Sequence, residues 1–167
     1  MQPPVLPSLK QPLTDGSMVL DAIDRRLLAS LQTDGRRRIA TLAREVGLSA
    51  AATGERLRRL EESGVIHGYR AILDPVALGY PITAVVRIRP APQQLRRIPA
   101  LAEETPEVVE CLRITGEDCF LIRVHVRSML HLEEILDRFV IYGQTTTSIV
   151  QSAPVARRGV PVGPASG

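Results

Sequence analysis

A chain of 167 residues, 44% of them hydrophobic, has room for one ordinary domain or two small ones; with 3% aromatics and no Trp, its cores must be built from Leu, Ile, Val and Ala. No run of about 18 apolar residues is present, which excludes a membrane-spanning helix. The net charge is only +3, but it is unevenly spread: ten Arg face seven acids from Leu20 to Arg70, and eight face nine from Pro81 to Ala153, so a polyanionic partner is expected for the first half. The start lacks the basic-then-apolar pattern of a secretory signal. Two cysteines, Cys111 and Cys119, make neither a disulfide framework nor a zinc site. The chain therefore reads as cytoplasmic, with no cofactor and no metal. Twenty Arg against one Lys points to a GC-rich bacterial genome.

Residues 1–18 hold four prolines and little periodicity, and read as a flexible lead-in. In "LDAIDRRLLASLQTDG", Leu20, Ile23, Leu27 and Leu31 recur at helical spacing. Asp21 is placed to cap that helix, Asp24 adds a second acid to its positive end, and Gly35 stops it. "RRRIATLAREVGLS" carries a second, shorter stripe of Ile39, Leu42, Ala43 and Val46. Gly47 fits the left-handed residue that ends a helix, and Ser49 the N-cap of the next. Two helices joined by Val46-Gly47-Leu48-Ser49 predict a helix-turn-helix. The third helix buries Thr53, Leu57 and Leu60 and ends at Gly64. Gly54 stands in its interior, where Gly costs about 1 kcal/mol against Ala; close packing and close approach to a partner are alternative reasons, and the sequence does not choose between them.

"VIHGYRAILDPVALG" predicts a short strand or two-stranded wing, then a linker over 71–81 punctuated by Pro75 and Pro81. The period then changes. Ile82, Ala84, Val86 and Ile88 alternate with Thr83, Val85, Arg87 and Arg89, a strand. Gln93 to Glu104 has a helical pattern, with Pro99 marking a kink or the true start. Val108–Thr115 and Cys119–Arg127 are two strands around "GED". Ser128 caps a helix carrying Leu132, Ile135, Leu136 and Phe139. Thr145–Ser152, rich in β-branched residues, is a last strand. The order β-α-β-β-α-β predicts a ferredoxin-like domain over 82–154, and the whole chain an α+β protein with a winged helix-turn-helix over 19–70. In that hairpin Cys111 falls opposite Arg123 and Cys119 beside Thr115, too far apart to bridge. The Pro-, Gly- and Arg-rich stretch 155–167 is expected to be disordered.

This arrangement resembles the leucine-responsive/asparagine-regulator (Lrp/AsnC) family of bacterial transcription regulators. "LDAIDRRLLASLQTDGR" is similar to that family's opening helix, and "LAREVGLS" with "ERLRRLEESGVIHGYRAILDP" to its recognition helix and exit strand. "RITGEDCFLIRVHV" looks like the hairpin of its regulatory domain, and "YGQTTTSIVQSAPV" like its final strand. Two departures stand out. Ala50, Ala51 and Ala52 replace prolines that many members carry, and Cys119 replaces an Asp. The resemblance implies a sequence-specific regulator of double-stranded DNA, associated with the nucleoid and not an enzyme. It also implies a homodimer assembling further, for instance to an octamer, and a small amino-acid effector held near the hairpin.

A major groove admits one helix, and the motif presents the front end of its second helix to base edges. The candidate DNA-binding residues are Ser49, Ala50, Ala51, Thr53, Glu55, Arg56, Arg58 and Arg59, with Arg36, Arg37 and Arg38 at the entry to the preceding helix. Thr53 is carried here as well as in the buried stripe. For the effector, Thr115, Gly116, Glu117 and Asp118 offer a turn and carboxylates suited to an α-ammonium; Gln144, Thr145, Thr146, Thr147 and Ser148 offer hydroxyls and an amide suited to a carboxylate. Val85, Val109, Cys111, Leu121 and Val150, mixed with Arg87, Arg113 and Arg123, are expected on the open sheet face that a second copy covers. His67, His125 and His131 have no metal spacing. Two other readings remain: an architectural, chromatin-like DNA binder without an effector, and a tetrapyrrole decarboxylase built on the same architecture.

Overall fold

A computed structural model describes residues 19–163. The flexible lead-in expected over 1–18 lies outside the described residues. The chain divides into two compact units, residues 19–71 with 157–163 and residues 72–156.

The first unit holds three helices: α1 (Ala22–Thr33), α2 (Ile39–Val46) and α3 (Ala50–Glu62). α1 begins with a reciprocal capping box. The Asp24 N–H donates to Asp21 Oδ1 at 2.8 Å, and the Asp21 N–H to Asp24 Oδ2 at 3.3 Å. α2 ends at Gly47, which takes the left-handed φ of 76° that a β-carbon would resist. Ser49 then caps α3, its Oγ accepting from the Ala52 N–H at 3.1 Å. Leu27, Leu28, Leu42, Val46, Leu57 and Leu60 form one buried core.

The expected wing strand is absent among the described residues: no strand lies between Ser63 and Pro81. A strand needs a hydrogen-bonded neighbour, and Ile66 and Tyr69 are held to α3 by other means. The Ile66 N–H donates to the Leu60 carbonyl at 3.0 Å, and the Tyr69 hydroxyl to Glu61 at 2.9 Å. Burial, and then this bond, push the Tyr69 phenol up to about 12. Residues 157–163, expected to be disordered, carry no helix or strand but are seated on this unit. Val162 packs against its core, and Arg25 donates to the Gly163 carbonyl.

The second unit runs β1 (Ile82–Pro90), α4 (Arg97–Glu103), β2 (Val108–Arg113), β3 (Phe120–Val126), α5 (Met129–Val140) and β4 (Gly143–Ile149). The strands make one antiparallel sheet ordered β2-β3-β1-β4, the ferredoxin-like arrangement. One face buries Ala84, Val86, Ile88, Ile122 and Val124 against Ile98, Leu132, Ile135 and Phe139 of the helices. α4 starts at Arg97 rather than Gln93, which has a φ of 68° and cannot be helical. Pro99 then falls in the first turn, where its missing N–H costs nothing.

Candidate functional site

α3 is anchored by three buried side chains, Thr53, Leu57 and Leu60. Thr53 is 0% exposed and its hydroxyl donates to the Ser49 carbonyl at 3.0 Å. It belongs to the core and is removed from the candidate DNA contacts. Ser49, Ala50, Ala51, Ala52 and Glu55 are exposed, so the front of the helix is bare and accessible.

The arginines of α3 divide into two kinds. Arg58 is 56% exposed and meets Glu55 at 2.5 Å and Glu62 one turn on. The hydrogen bond from Arg58, and then its charge, lower the Glu55 carboxyl below its usual range. Such solvent-screened pairs open readily to a stronger partner. Arg56 and Arg59 instead turn back to α1. Arg56 Nη1 donates to Asp21 at 2.6 Å and to Asp24 Oδ1 at 2.8 Å, and Arg59 Nη2 to Asp24 Oδ2 at 3.1 Å. Asp24 is 1% exposed. Stripping its arginines away would strand a buried charge, at a cost of about 3–5 kcal/mol. Arg58 is therefore open to a phosphate, whereas Arg56 and Arg59 are engaged. The expected arginine-rich rod is electrically balanced, three arginines against Glu55, Glu61 and Glu62 over Ala50–Glu62. At the entry to α2, Arg37 is also tied, donating to Ser30 Oγ at 2.7 Å and to Glu45. Arg36 and Arg38 are exposed with no side-chain partner among the described residues.

The second cluster lies at one end of the sheet. Strand pairing sets Arg87 beside Thr146, Arg89 beside Gln144, and Val85 beside Ser148, all on the face away from the helices. Thr145 and Thr147 pair with Ile88 and Val86 and so belong to the helix side. Of the five candidates on β4, three share the open face and two do not. The hairpin turn bends Glu117 and Asp118 onto β1: Glu117 pairs with Arg89, and Asp118 lies 3.5 Å from Arg87 and 3.8 Å from Arg89. Thr115 and Gly116 are exposed in the same turn. β4 runs close to β1 here because residue 143 is Gly; a β-carbon there would overlap the Arg89 carbonyl.

The two units that carry these clusters resemble known proteins. A family model of the AsnC-type helix-turn-helix domain matches residues 20–61, and one of the Lrp/AsnC ligand binding domain matches residues 83–160. The chain belongs to the Lrp/AsnC family. The transcriptional regulator LrpA of Mycobacterium tuberculosis is 42% identical over 120 residues, 71% of this chain and 80% of that one. The solved structure of Bacillus subtilis LrpC superposes with a TM-score of 0.80 at 28% identity, covering 84% of this chain and all of that one. A feast or famine regulatory protein of M. tuberculosis, solved in complex with L-methionine, gives 0.79 at 37% identity, covering 86% and 100%.

Within this Lrp/AsnC chain, the open face also differs from expectation. Val85, Leu121 and Arg123 lie on it, as expected, with Leu112 opposite Leu121 and Arg123 3.3 Å from Glu110. Cys111 and Arg113 do not: they pair with Ile122 and Phe120 of the buried face, and Arg113 stacks over the Phe120 ring at 5.3 Å. An irregularity between Val108 and Glu110 leaves exposed Val109 out of register and flips the alternation. Cys111 thus falls opposite Ile122 instead of Arg123, and both cysteines are free thiols. Cys111 is itself an exposed residue; partial shielding of its thiol by neighbouring atoms, and then Glu103, raise it.

Sequence reasoning missed Arg87 and Arg89 as parts of the hairpin site, and Asp21 and Asp24 as partners of α3. For the second pair a signal existed. Asp21-x-x-Asp24 and Arg56-x-x-Arg59 are opposite charges at matched helical spacing.

Proposed function

We propose that this transcription regulator reads duplex DNA with the front of α3, and that its second unit adjusts DNA binding in response to a small amino acid. The observation that carries the first half is the exposed, side-chain-poor run Ser49-Ala50-Ala51 at a capped helix end. It allows close approach of backbone N–H groups to a groove wall. Glu55 and Arg58 then reach base edges or phosphates, with Arg36 and Arg38 on the neighbouring backbone.

For the effector, the L-methionine complex of the 37% identical relative supports an amino acid. Arg87 and Arg89 suit its carboxylate, and Glu117 and Asp118 its ammonium, each exchanging an exposed internal pair for a charge of the zwitterion. Gln144, Thr146 and Ser148 line the same face. A second copy covers that face to make a dimer, and dimers associate further. A ligand favouring one assembly changes DNA affinity by its difference in affinity between the states. The chain acts in the cytoplasm, by binding rather than catalysis.

Sequencing the fragments that the purified chain retains from a random duplex pool, with and without millimolar amino acids, tests this reading. A shared motif whose recovery changes with one amino acid is expected. Retention without a motif points to an architectural binder, and no retention contradicts the reading. Calorimetry against the twenty amino acids showing no heat removes the effector, and a monomer in sedimentation removes the dimer.

A further inference from the structure

We infer that Asp24 is a positioning residue for DNA reading: it fixes the roll of α3 on α1 and withholds Arg56 and Arg59 from the phosphate backbone. The inference rests on the DNA-reading role proposed above.

The buried anchor of α3 is a narrow stripe of Thr53, Leu57 and Leu60. Apolar contact has no preferred direction, so such a stripe resists separation better than rotation. Arg56 and Arg59 lie beside it, one turn apart, and converge on one carboxylate from 2.8 and 3.1 Å. Rolling α3 about its axis carries both guanidiniums sideways off Asp24. Sliding it along its axis draws one closer and pulls the other away. Charge-assisted hydrogen bonds are short and directional, so the carboxylate sets azimuth and axial register together. Asp24 is itself immobilised, because it is the third residue of α1 and closes the capping box with Asp21. The acid that closes the cap of α1 therefore also aims Ala50, Ala51 and Glu55.

Asp21, Asp24, Arg56 and Arg59 form a neutral group whose arginines already have carboxylate partners. Released, those arginines would add phosphate contacts, which raise affinity for every sequence alike. The latch exchanges non-specific affinity for discrimination.

The test compares the full chain with two variants. Each is titrated with salt on the duplex that the parent enriches from a random pool and on a scrambled duplex of equal length. Asp24→Asn is expected to steepen the salt slope on scrambled DNA by about 0.9–1.8, one or two phosphates. Its ratio of specific to scrambled affinity is expected to fall at least about tenfold. Arg59→Gln loses discrimination severalfold at the parent's slope, because Arg59 touches no phosphate in the parent. An Asp24→Asn protein that melts earlier yet keeps the parent's slope and ratio has lost only packing, and overturns the inference. So does Arg59→Gln if it flattens the slope by about 0.9. Should Asp24→Asn fail to fold, Arg59→Gln decides alone, since its half-exposed side chain leaves Arg56 on the carboxylate. A parent that ignores duplex DNA defeats the DNA-reading proposal itself. A parent that binds with variants indistinguishable from it defeats only the latch.

Discussion

Each unit contains a cluster of two acids and two arginines, made from the same chemistry and set in opposite solvent. Asp21 and Asp24 meet Arg56 and Arg59 across two helices, with Asp24 sealed from water. Glu117 and Asp118 meet Arg87 and Arg89 at a hairpin rim, where the Glu117 side chain is 79% exposed. The first set cannot open without stranding the buried Asp24 carboxylate; the hairpin set, which has no such buried member, can exchange partners with a ligand. One buried carboxylate, rather than composition, separates the two clusters.

The exposed cluster depends on a backbone approach, so its largest perturbation comes from Gly143. A β-carbon there meets only β1 backbone, and Gly143→Ala should cost up to about 3 kcal/mol in urea unfolding of the second unit. An unchanged midpoint would mean that the strands separate easily. In the buried cluster, Asp24→Asn should cost about 2 kcal/mol, the loss of charged hydrogen bonds. Glu117→Gln should leave the melting temperature unchanged while weakening any amino-acid response. Equal thermal effects from the two would erase the distinction between the clusters.

Gly54 gives a smaller effect of opposite sign. An added β-carbon would make only an ordinary contact, 4.0 Å from Ile39 Cδ1, so the fold does not require glycine. Gly54→Ala should stabilise the first unit by about 1 kcal/mol. If close approach to DNA is why glycine stands there, the same variant binds duplex less well. The smallest effect is acid dependence. The Asp24 N–H, and then Arg56, hold the Asp21 carboxyl below its ordinary 3.8. Its contribution is complete above that value and disappears as pH falls through the lowered one. Asp21→Asn keeps the cap but not the titration, so its stability deficit should shrink on acidification below 3.8; a constant deficit contradicts this.

Local signals carried most of the fold. Asp21, Gly47, Ser49 and Ser128 cap helices as their types require, because a cap is decided within four residues. The periodic positions Leu27, Leu57, Leu60, Val86 and Phe139 are buried. Local signals mislead where the deciding partner is distant or the period slips. Pro99 was legible as a possible start, but the positive φ of Gln93 was not. Val109 shifted the alternation of β2 and put Cys111 on the wrong face. The exit segment looked like a strand because its residues favour one, yet it has no ladder partner among the described residues. At the sites, the bare front of α3 was visible, whereas the sorting of its arginines was not. Arg56 and Arg59 find their acids 32 to 35 residues away, and Arg89 finds Glu117 28 residues away.

We propose that the front of α3 lies against bases. Ala51→Glu places a longer, negative side chain on that exposed surface without touching the core. Fluorescence anisotropy on the enriched duplex should show affinity falling at least about tenfold, with the melting temperature unchanged. Full affinity in a folded Ala51→Glu protein would contradict the account.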